Sequence, residues 1–347
     1  MFSNFDKSLF LSFFKSNYKK FQNTSFFITG ATGFIGKWIL GALIIANENF
    51  FLNLNIYILS RDPEKFRLKY KYISNQPYIF IIKGDVRKSM SNKELNSLPE
   101  NIDFFIHAAS DVASKISPIQ MFDVCINGTK NILELAKLKN AKDFLLISSG
   151  AIYGKQPDEM NSLNEKYQGL MNWSNKDSYA YGFGKIGSEW LTKEYSKNNQ
   201  FRSKIARCFA FAGPYMEMDK HFAIGNFIRD ASEGKDIFIK GDGEALRTYL
   251  YVGELSIWLL EILINSSNNS IYNVGGSEVI SISNLATKIK NIINPKVSVV
   301  FNHNENIKSD KYIPDINKIK KELNLFPKID INKCIIETHK WYTNSYE

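Results

Sequence analysis

Short apolar runs alternate with longer stretches of helical apolar spacing between residues 25 and 208. Runs at 25–29 (SFFIT), 55–59 (NIYIL), 78–83 (YIFIIK), 103–107 (DFFIH), 143–148 (DFLLIS) and 203–208 (SKIARC) are rich in β-branched and aromatic residues and read as strands. Residues 34–47, 118–139 and 178–197 read as helices, the last one after a long loop at 154–176. The strands are apolar nearly throughout, as burial on both faces requires. Strand alternating with helix predicts right-handed crossovers and an α/β fold built on a doubly wound parallel sheet. Residues 1–23 read as an appended amphipathic helix, packed on the body of the protein or on a neighbouring subunit. Its SLFLSFF run is too short to span a membrane and is flanked by Asp6, Lys7 and Lys15. Beyond residue 209 the periodicity becomes irregular, with turns at Gly234, at Gly241 to Gly243 and at Gly275 and Gly276. The chain therefore divides into a helical extension (1–23), a first domain (24–209) and a smaller mixed lobe (210–347), of which about 245–275 returns to the first domain.

The first strand runs directly into GATGFIG, with glycines at 30, 33 and 36, and then into a helix. Each glycine has a role in a strand–turn–helix that holds a dinucleotide. Gly30 makes the tight turn, Gly33 lets a pyrophosphate approach the backbone, and Gly36 allows close packing of the helix. The helix N-terminus directs its free N–H groups and positive dipole end at the phosphates.

Ligands of doubly wound sheets sit beyond the carboxyl ends of the strands, so the residues after each strand are the ones to inspect. The fifth strand is followed by SSGAIYG, residues 148–154. The helix after the long loop holds Tyr181 and Lys185, whose four-residue spacing puts both on one face. An ammonium beside a phenol favours the phenolate, which suits Tyr181 to general acid–base work on a carbonyl–alcohol pair. Ser149 is placed to hold the same oxygen.

Composition adds exclusions. Net charge is +9, but the basic residues are spread along the chain, and no basic face or aromatic stacking module points to nucleic acid. The charge equally suits an anionic, phosphate-bearing substrate. Cys125, Cys208 and Cys334 are far apart and fit a reducing cytoplasm, and the four histidines are scattered, so no metal site is expected. No apolar stretch reaches membrane-spanning length.

From Phe26 onward the chain resembles the extended short-chain dehydrogenases/reductases that act on nucleotide sugars. The resemblance is carried by GATGFIG, KGD ending at Asp85, HAAS (107–110), NGTKNILELA from Asn127, SSGAIYG, Tyr181 with Lys185, Gly213-Pro214, GDGEALRTYLYVGEL (241–255), YNVGG (272–276) and PDINKIKKELNLFP (314–327). It implies a Rossmann domain with a substrate lobe, and a catalytic set of Ser149, Tyr181 and Lys185. It implies cofactor contacts from Gly30, Thr32, Gly33, Phe34, Ile35, Gly36, Ser60, Arg61, Asp85, Val86, Ala108, Ala109, Ser110, Asn127, Tyr181 and Lys185. Asp85 would meet the adenine, and Arg247 would grip the substrate diphosphate. Pairing through the helices at 118–139 and 178–197 would make a homodimer.

Three departures narrow the reaction. Dehydratases of this family carry an Asp-Glu pair after the serine or threonine of strand five, and decarboxylases tend to carry a Glu at the second of these positions; here they are Gly150 and Ala151. An NAD site needs a carboxylate at the end of strand two to accept from the ribose 2′-OH, and the chain has Ser60-Arg61 there. Arginine pairs with a 2′-phosphate, so NADP(H) is expected ahead of NAD, and Asp62 reads as a helix cap before Pro63. The family asparagine near strand six is replaced by Ala210, leaving Asn226 or His221 to recognise the sugar. The expected activity is NADPH-dependent reduction of the C4 keto group of a nucleoside-diphosphate 4-keto-6-deoxyhexose, such as dTDP-4-dehydro-6-deoxyglucose, in surface-polysaccharide synthesis. A nucleotide-sugar 4-epimerase is the alternative; a 4,6-dehydratase or a non-catalytic NADP-binding sensor ranks behind both.

Overall fold

The structure, a computed structural model, describes residues 2–110, 116–169, 179–198, 201–220, 222–302 and 310–344. The first half reads α1 (Asn4–Asn17), β1 (Ser25–Thr29), α2 (Phe34–Phe50), β2 (Asn55–Ser60), α3 (Pro63–Lys69), α4 (Lys71–Ser74), β3 (Ile79–Lys83), α5 (Asn92–Asn96), β4 (Phe104–His107), α6 (Pro118–Leu138), β5 (Asp143–Ser149), α7 (Tyr179–Asn198) and β6 (Arg202–Cys208). The second half is built from shorter pieces: β7 (Phe211–Ala212), α8 (Ala223–Ser232), β8 (Ile237–Lys240), β9 (Leu246–Arg247), β10 (Leu250–Tyr251), α9 (Val252–Asn265), β11 (Ser270–Val274), β12 (Ile280–Ser281), α10 (Ile282–Ile293), β13 (Val299–Asn302), β14 (Lys311–Tyr312), α11 (Asn317–Leu323) and α12 (Ile331–Asn344).

Among the described residues seven strands form one sheet in the order β11-β6-β5-β4-β1-β2-β3. The pairs β1–β2, β1–β4, β2–β3 and β4–β5 are parallel. Their register aligns an aromatic ring on each of five neighbouring strands: Phe80, Tyr57, Phe27, Phe105 and Phe144. Tyr57 and Phe80 stack at 5.0 Å between centroids and Phe27 and Phe105 at 5.3 Å. Such pairs contribute about 0.5–1.5 kcal/mol each beyond the area they bury. Tyr57, Phe27, Phe105 and Phe144 of this ladder, together with Ile132, Leu133, Leu135 and Ala136 of α6, belong to the core on that face, while Phe80 at its end is exposed.

The chain forms two compact units. The first comprises Met1–Ile152, Trp173–Arg207 and Ser256–Tyr272, the second Tyr153–Asn172, Cys208–Leu255 and Asn273–Glu347. In the first unit α1 packs on α2 of its own chain. Phe10 and Phe14 are fully buried, and the ring of Phe2 meets Trp38 at 5.0 Å. Phe2 fills the space where a Cβ on Gly41 would stand. A capping box starts α1: Ser3 Oγ accepts from the Asp6 N–H and the Asp6 carboxylate accepts from the Ser3 N–H. None of the described helices is long and apolar enough to cross a membrane.

In the second unit, Leu163 bridges to Pro314 and β8 pairs in parallel with β13. The Tyr153 hydroxyl donates to Asn273 Oδ1 at 2.8 Å. Glu254 accepts from the Lys328 and Ile329 N–H groups, and burial pushes its carboxyl up to about 7.

Candidate active site

The glycine turn is held by contacts to backbone. Gly30 has φ +67°, and an added Cβ would stand 2.5 Å from the Ala108 carbonyl carbon. No other residue fits that turn without moving the segment after β4. Gly33 is the N-cap of α2 and, having no side chain, makes no cap hydrogen bond to the first turn of that helix. The close approach at Gly36 is to the turn itself: a Cβ there would lie 2.3 Å from the Gly30 oxygen and 2.5 Å from Ala31 Cα. Thr32 and Gly33 are exposed, and Phe34 and Ile35 are half-buried in the first turn of α2. An uncapped helix start behind a turn with no room for a side chain fits a dinucleotide pyrophosphate.

The next wall comes from the segment after β4. Ala108, Ala109 and Ser110 are half-buried. His107 ends β4 opposite Thr29 at the end of β1, and His107 Nδ1 lies 2.7 Å from Thr29 Oγ1. The same hydroxyl oxygen accepts from the Ala109 N–H at 3.3 Å. Complete burial, helped by the Lys185 charge, pushes the His107 imidazole down to about 3. It is therefore a neutral strut that fixes Ala108 and Ala109, and sequence reasoning assigned no such role to Thr29 or His107.

At the end of β2, Ser60 is buried and Arg61 exposed. The Asp62 carboxylate accepts from the Lys65 N–H at 3.0 Å, capping α3 with Pro63 in its first turn, as the sequence predicts. Asp85 is paired with Arg87, whose Nη2 donates at 2.5 Å. Those hydrogen bonds hold the Asp85 carboxyl below the usual carboxylate range against a partial opposing effect of burial, and the Arg61 charge adds to the lowering. Asn131 of α6 donates to the Val86 carbonyl at 2.9 Å, whereas exposed Asn127 donates to Asp123 one turn back.

Ser149 closes β5, and its Oγ accepts from the Ala151 N–H at 3.1 Å, which leaves the hydroxyl proton for another acceptor. Gly150 and Ala151 lie in a 3-10 turn, Gly150–Tyr153. On α7, Lys185 is buried; its Nζ donates to the Ile147 carbonyl at 2.8 Å and lies 5.7 Å from the centre of the half-buried Tyr181 ring. The structure thus brings Lys185 to Tyr181 on one side and to the strand that ends in Ser149 on the other. Close packing of α7 on α6 makes this reach possible. Cβ atoms on Gly184 and Gly187 would stand 2.7 Å from Cys125 and 2.3 Å from Ile126, and Ser188 Oγ donates to the Cys125 carbonyl at 2.8 Å.

The family model for the NAD dependent epimerase/dehydratase family matches residues 26–275. The chain belongs to that family. Its similar relatives include UDP-glucuronic acid decarboxylase 6 of Arabidopsis thaliana, 28% identical over 322 residues, covering 91% of this chain and 88% of the relative. UDP-glucuronic acid decarboxylase 1 of the same plant is 27% identical over 88% of this chain and 67% of its own length. Among solved structures, the Thermotoga maritima UDP-glucose 4-epimerase with UDP-glucose matches with a TM-score of 0.80 at 19% identity, covering 93% of this chain and all of that one. UDP-glucuronic acid 4-epimerase of Bacillus cereus, with UDP-glucuronic acid and NAD, matches with a TM-score of 0.78 at 22% identity over 93% of this chain and 100% of its own. At these identities the solved structures share the fold.

The substrate candidates of the second unit are engaged within it. Arg247 Nη2 donates to Asp310 Oδ1 at 2.6 Å, and its Nη1 donates to the Leu246 and Asp310 carbonyls. Asn226 donates to the Lys220 carbonyl at 2.8 Å and accepts from Arg229. His221 lies outside the described residues. Among the described residues no three His, Cys, Asp or Glu side chains gather as metal ligands would.

Proposed function

We propose that the protein is an NADPH-dependent reductase of the C4 keto group of a nucleoside-diphosphate 4-keto-6-deoxyhexose, working in the cytoplasm in the synthesis of surface-polysaccharide sugars. The observation that carries the cofactor choice is the end of β2, where the Asp62 carboxylate caps α3 and the exposed side chain is Arg61. A ribose 2′-OH meets no ready acceptor there, while a 2′-phosphate meets a guanidinium. Gly150 and Ala151 cannot move a proton at sugar C5, which disfavours dehydration, and Ala151 disfavours decarboxylation.

A dihydronicotinamide, when bound, would supply the hydride at C4. Tyr181 gives its phenolic proton to the oxyanion that develops on the C4 oxygen, Ser149 donates a hydrogen bond to the same oxygen, and buried Lys185 stabilises the resulting phenolate. Arg247 exchanges Asp310 for the substrate diphosphate, a bidentate anion of the kind a guanidinium fork fits. Nucleotide-sugar 4-epimerisation is the second reading, favoured by the NAD held in the B. cereus epimerase structure. It uses the same three residues and differs in cofactor retention.

Cofactor titration of the purified protein separates the two. NADPH is expected to bind at least about tenfold more tightly than NADH, a difference of about 1.4 kcal/mol, and Arg61→Ala to remove the preference. Oxidation of added NADPH by dTDP-4-dehydro-6-deoxyglucose then reports reduction. NAD⁺ that co-purifies, with no NADPH preference, moves the assignment to the epimerase.

We also infer a homodimer through α6 and α7. Ile119, Phe122, Ile186 and Trp190 are exposed on these two mutually packed helices, and Trp190 is 61% exposed. A second copy presents the same stripe and covers it. Light scattering is expected to give twice 39.8 kDa, and Trp190→Glu to give the single mass, since a central aromatic anchor contributes about 2 kcal/mol or more. A single mass for the unaltered chain overturns the pairing.

A further inference from the structure

We infer that Ser148 and Glu189 are positioning residues for the catalytic lysine: a carboxylate on α7 fixes the end of β5, and with it the carbonyl that holds Lys185. The inference rests on the roles assigned above to Tyr181 and Lys185. Tyr181, Lys185 and Glu189 follow at four-residue intervals on one face of α7. Ser148 Oγ donates to Glu189 Oε1 at 2.5 Å, and Lys185 Nζ donates to the carbonyl of the preceding residue, Ile147. Two successive residues of β5 are therefore bound to two successive turns of α7.

The carboxylate itself is clamped. Arg207, on the neighbouring strand β6, donates to it through Nε at 3.1 and 3.2 Å and through Nη2 at 2.8 Å. Ser148, Glu189 and Arg207 are all buried. A buried ion pair contributes little net stability but holds one geometry firmly, because misplacing either charge leaves the other unpaired. The result is a rigid joint between β5, β6 and α7, next to Ser149 and one turn below Lys185.

Among the described residues, titratable groups that sense the Lys185 charge include His107 of β4 and Cys125 of α6, both buried. Burial holds the imidazole neutral and pushes the thiol up, so neither offers the ammonium a negative partner. If the end of β5 moves, Lys185 moves with it, and the phenol of Tyr181 loses part of the field that keeps it acidic.

Ser148→Ala removes the tether while leaving the Arg207–Glu189 pair in place, so the fold is retained. With dTDP-4-dehydro-6-deoxyglucose and NADPH, kcat is expected to fall about tenfold with KM within about twofold of the unaltered enzyme. The titration midpoint of Tyr181 is expected to rise by about half a pH unit or more. This midpoint is read from ultraviolet phenolate absorbance as the difference between each protein and its Tyr181→Phe counterpart, and needs no substrate. Ser148→Thr, which keeps the hydroxyl, restores both. A purely structural role would lower thermal stability and leave the midpoint where it was. An unmoved midpoint in Ser148→Ala, or a shift that threonine does not reverse, overturns the inference. If Tyr181→Phe itself leaves turnover intact, it is the general-acid assignment that fails; if it silences turnover while Ser148→Ala behaves normally, only the tether does.

Discussion

Tyr181→Phe is expected to lower kcat/KM by about 10²–10⁴-fold while NADPH binding stays within a few-fold of the unaltered protein. The change deletes one hydroxyl and keeps the ring, which is half-buried in the first turn of α7 and faces Lys185. The surfaces proposed to grip the dinucleotide phosphates lie elsewhere, in the Gly30–Gly36 turn and the segment after β4, and the geometry of neither depends on the phenol. The loss therefore falls on proton transfer. Ser149 still donates to the C4 oxygen, so residual hydride transfer persists and slows further as pH rises and solvent becomes a poorer acid. Steady-state kinetics with the cofactor titrated separately checks this. Equal losses in turnover and in cofactor affinity would show that Tyr181 is a binding residue and remove it from the chemistry.

The parts of this site that the sequence made legible are those whose function is local. A strand, a turn and a helix start fit within the residues from Ser25 to Leu40, and the backbone contacts of Gly30 and Gly36 follow from that short connection. The tyrosine and lysine share a helix face, and their spacing is visible without a structure. The supports were hidden because they join residues far apart in the chain: Thr29 with His107, Val86 with Asn131, Ser148 with Glu189 and Arg207. One signal was available. Strand β6 (RSKIARC) carries Lys204 and Arg207 within an otherwise buried strand, and charges there need partners. Lys204 pairs with Asp143 at the start of β5, and burial pushes its ammonium down to about 7. Arg207 pairs with Glu189. Reading those two charges as demands for carboxylates would have pointed to β5 and α7.

The second half of the chain resisted reading for a different reason. Strands β7, β9, β10, β12 and β14 are two residues each, too short to show any period. Strand β8 pairs with β13, Ile237 opposite Val299, across the whole of α9 and α10. Pairing at that separation leaves no local trace. The substrate candidates suffered most from this. Arg247 was placed by resemblance alone, and its partner Asp310 becomes adjacent only because β9 pairs with β14.

Gly36→Ala and Gly33→Ala are expected to separate folding from binding within the same turn. A methyl at position 36 would press on the Gly30 oxygen at 2.3 Å and on Ala31 Cα at 2.5 Å, both backbone atoms that cannot rotate away. Either the turn or the start of α2 has to shift, and Gly30 in turn is fixed against Ala108. The expected cost is about 3 kcal/mol or more, a fall in Tm of roughly 6–12 °C, together with loss of measurable dinucleotide binding. A methyl at position 33 meets only the Gly30 oxygen, at 3.2 Å, on a residue with φ −81° that alanine adopts freely. Its stability cost is about 1 kcal/mol or less, mostly from alanine being a poor N-cap. Yet Gly33 is exposed at the start of α2, where no side chain of its own caps the helix and where the proposed site has the pyrophosphate reach the N–H groups, so the added methyl is expected to displace the ligand. Gly33→Ala should therefore keep nearly the full Tm and lose about tenfold or more in NADPH affinity. Thermal unfolding and cofactor titration on the two variants read this directly. Normal affinity in Gly33→Ala would place the phosphates away from the start of α2, and with them the dinucleotide, whatever the glycine pattern suggests.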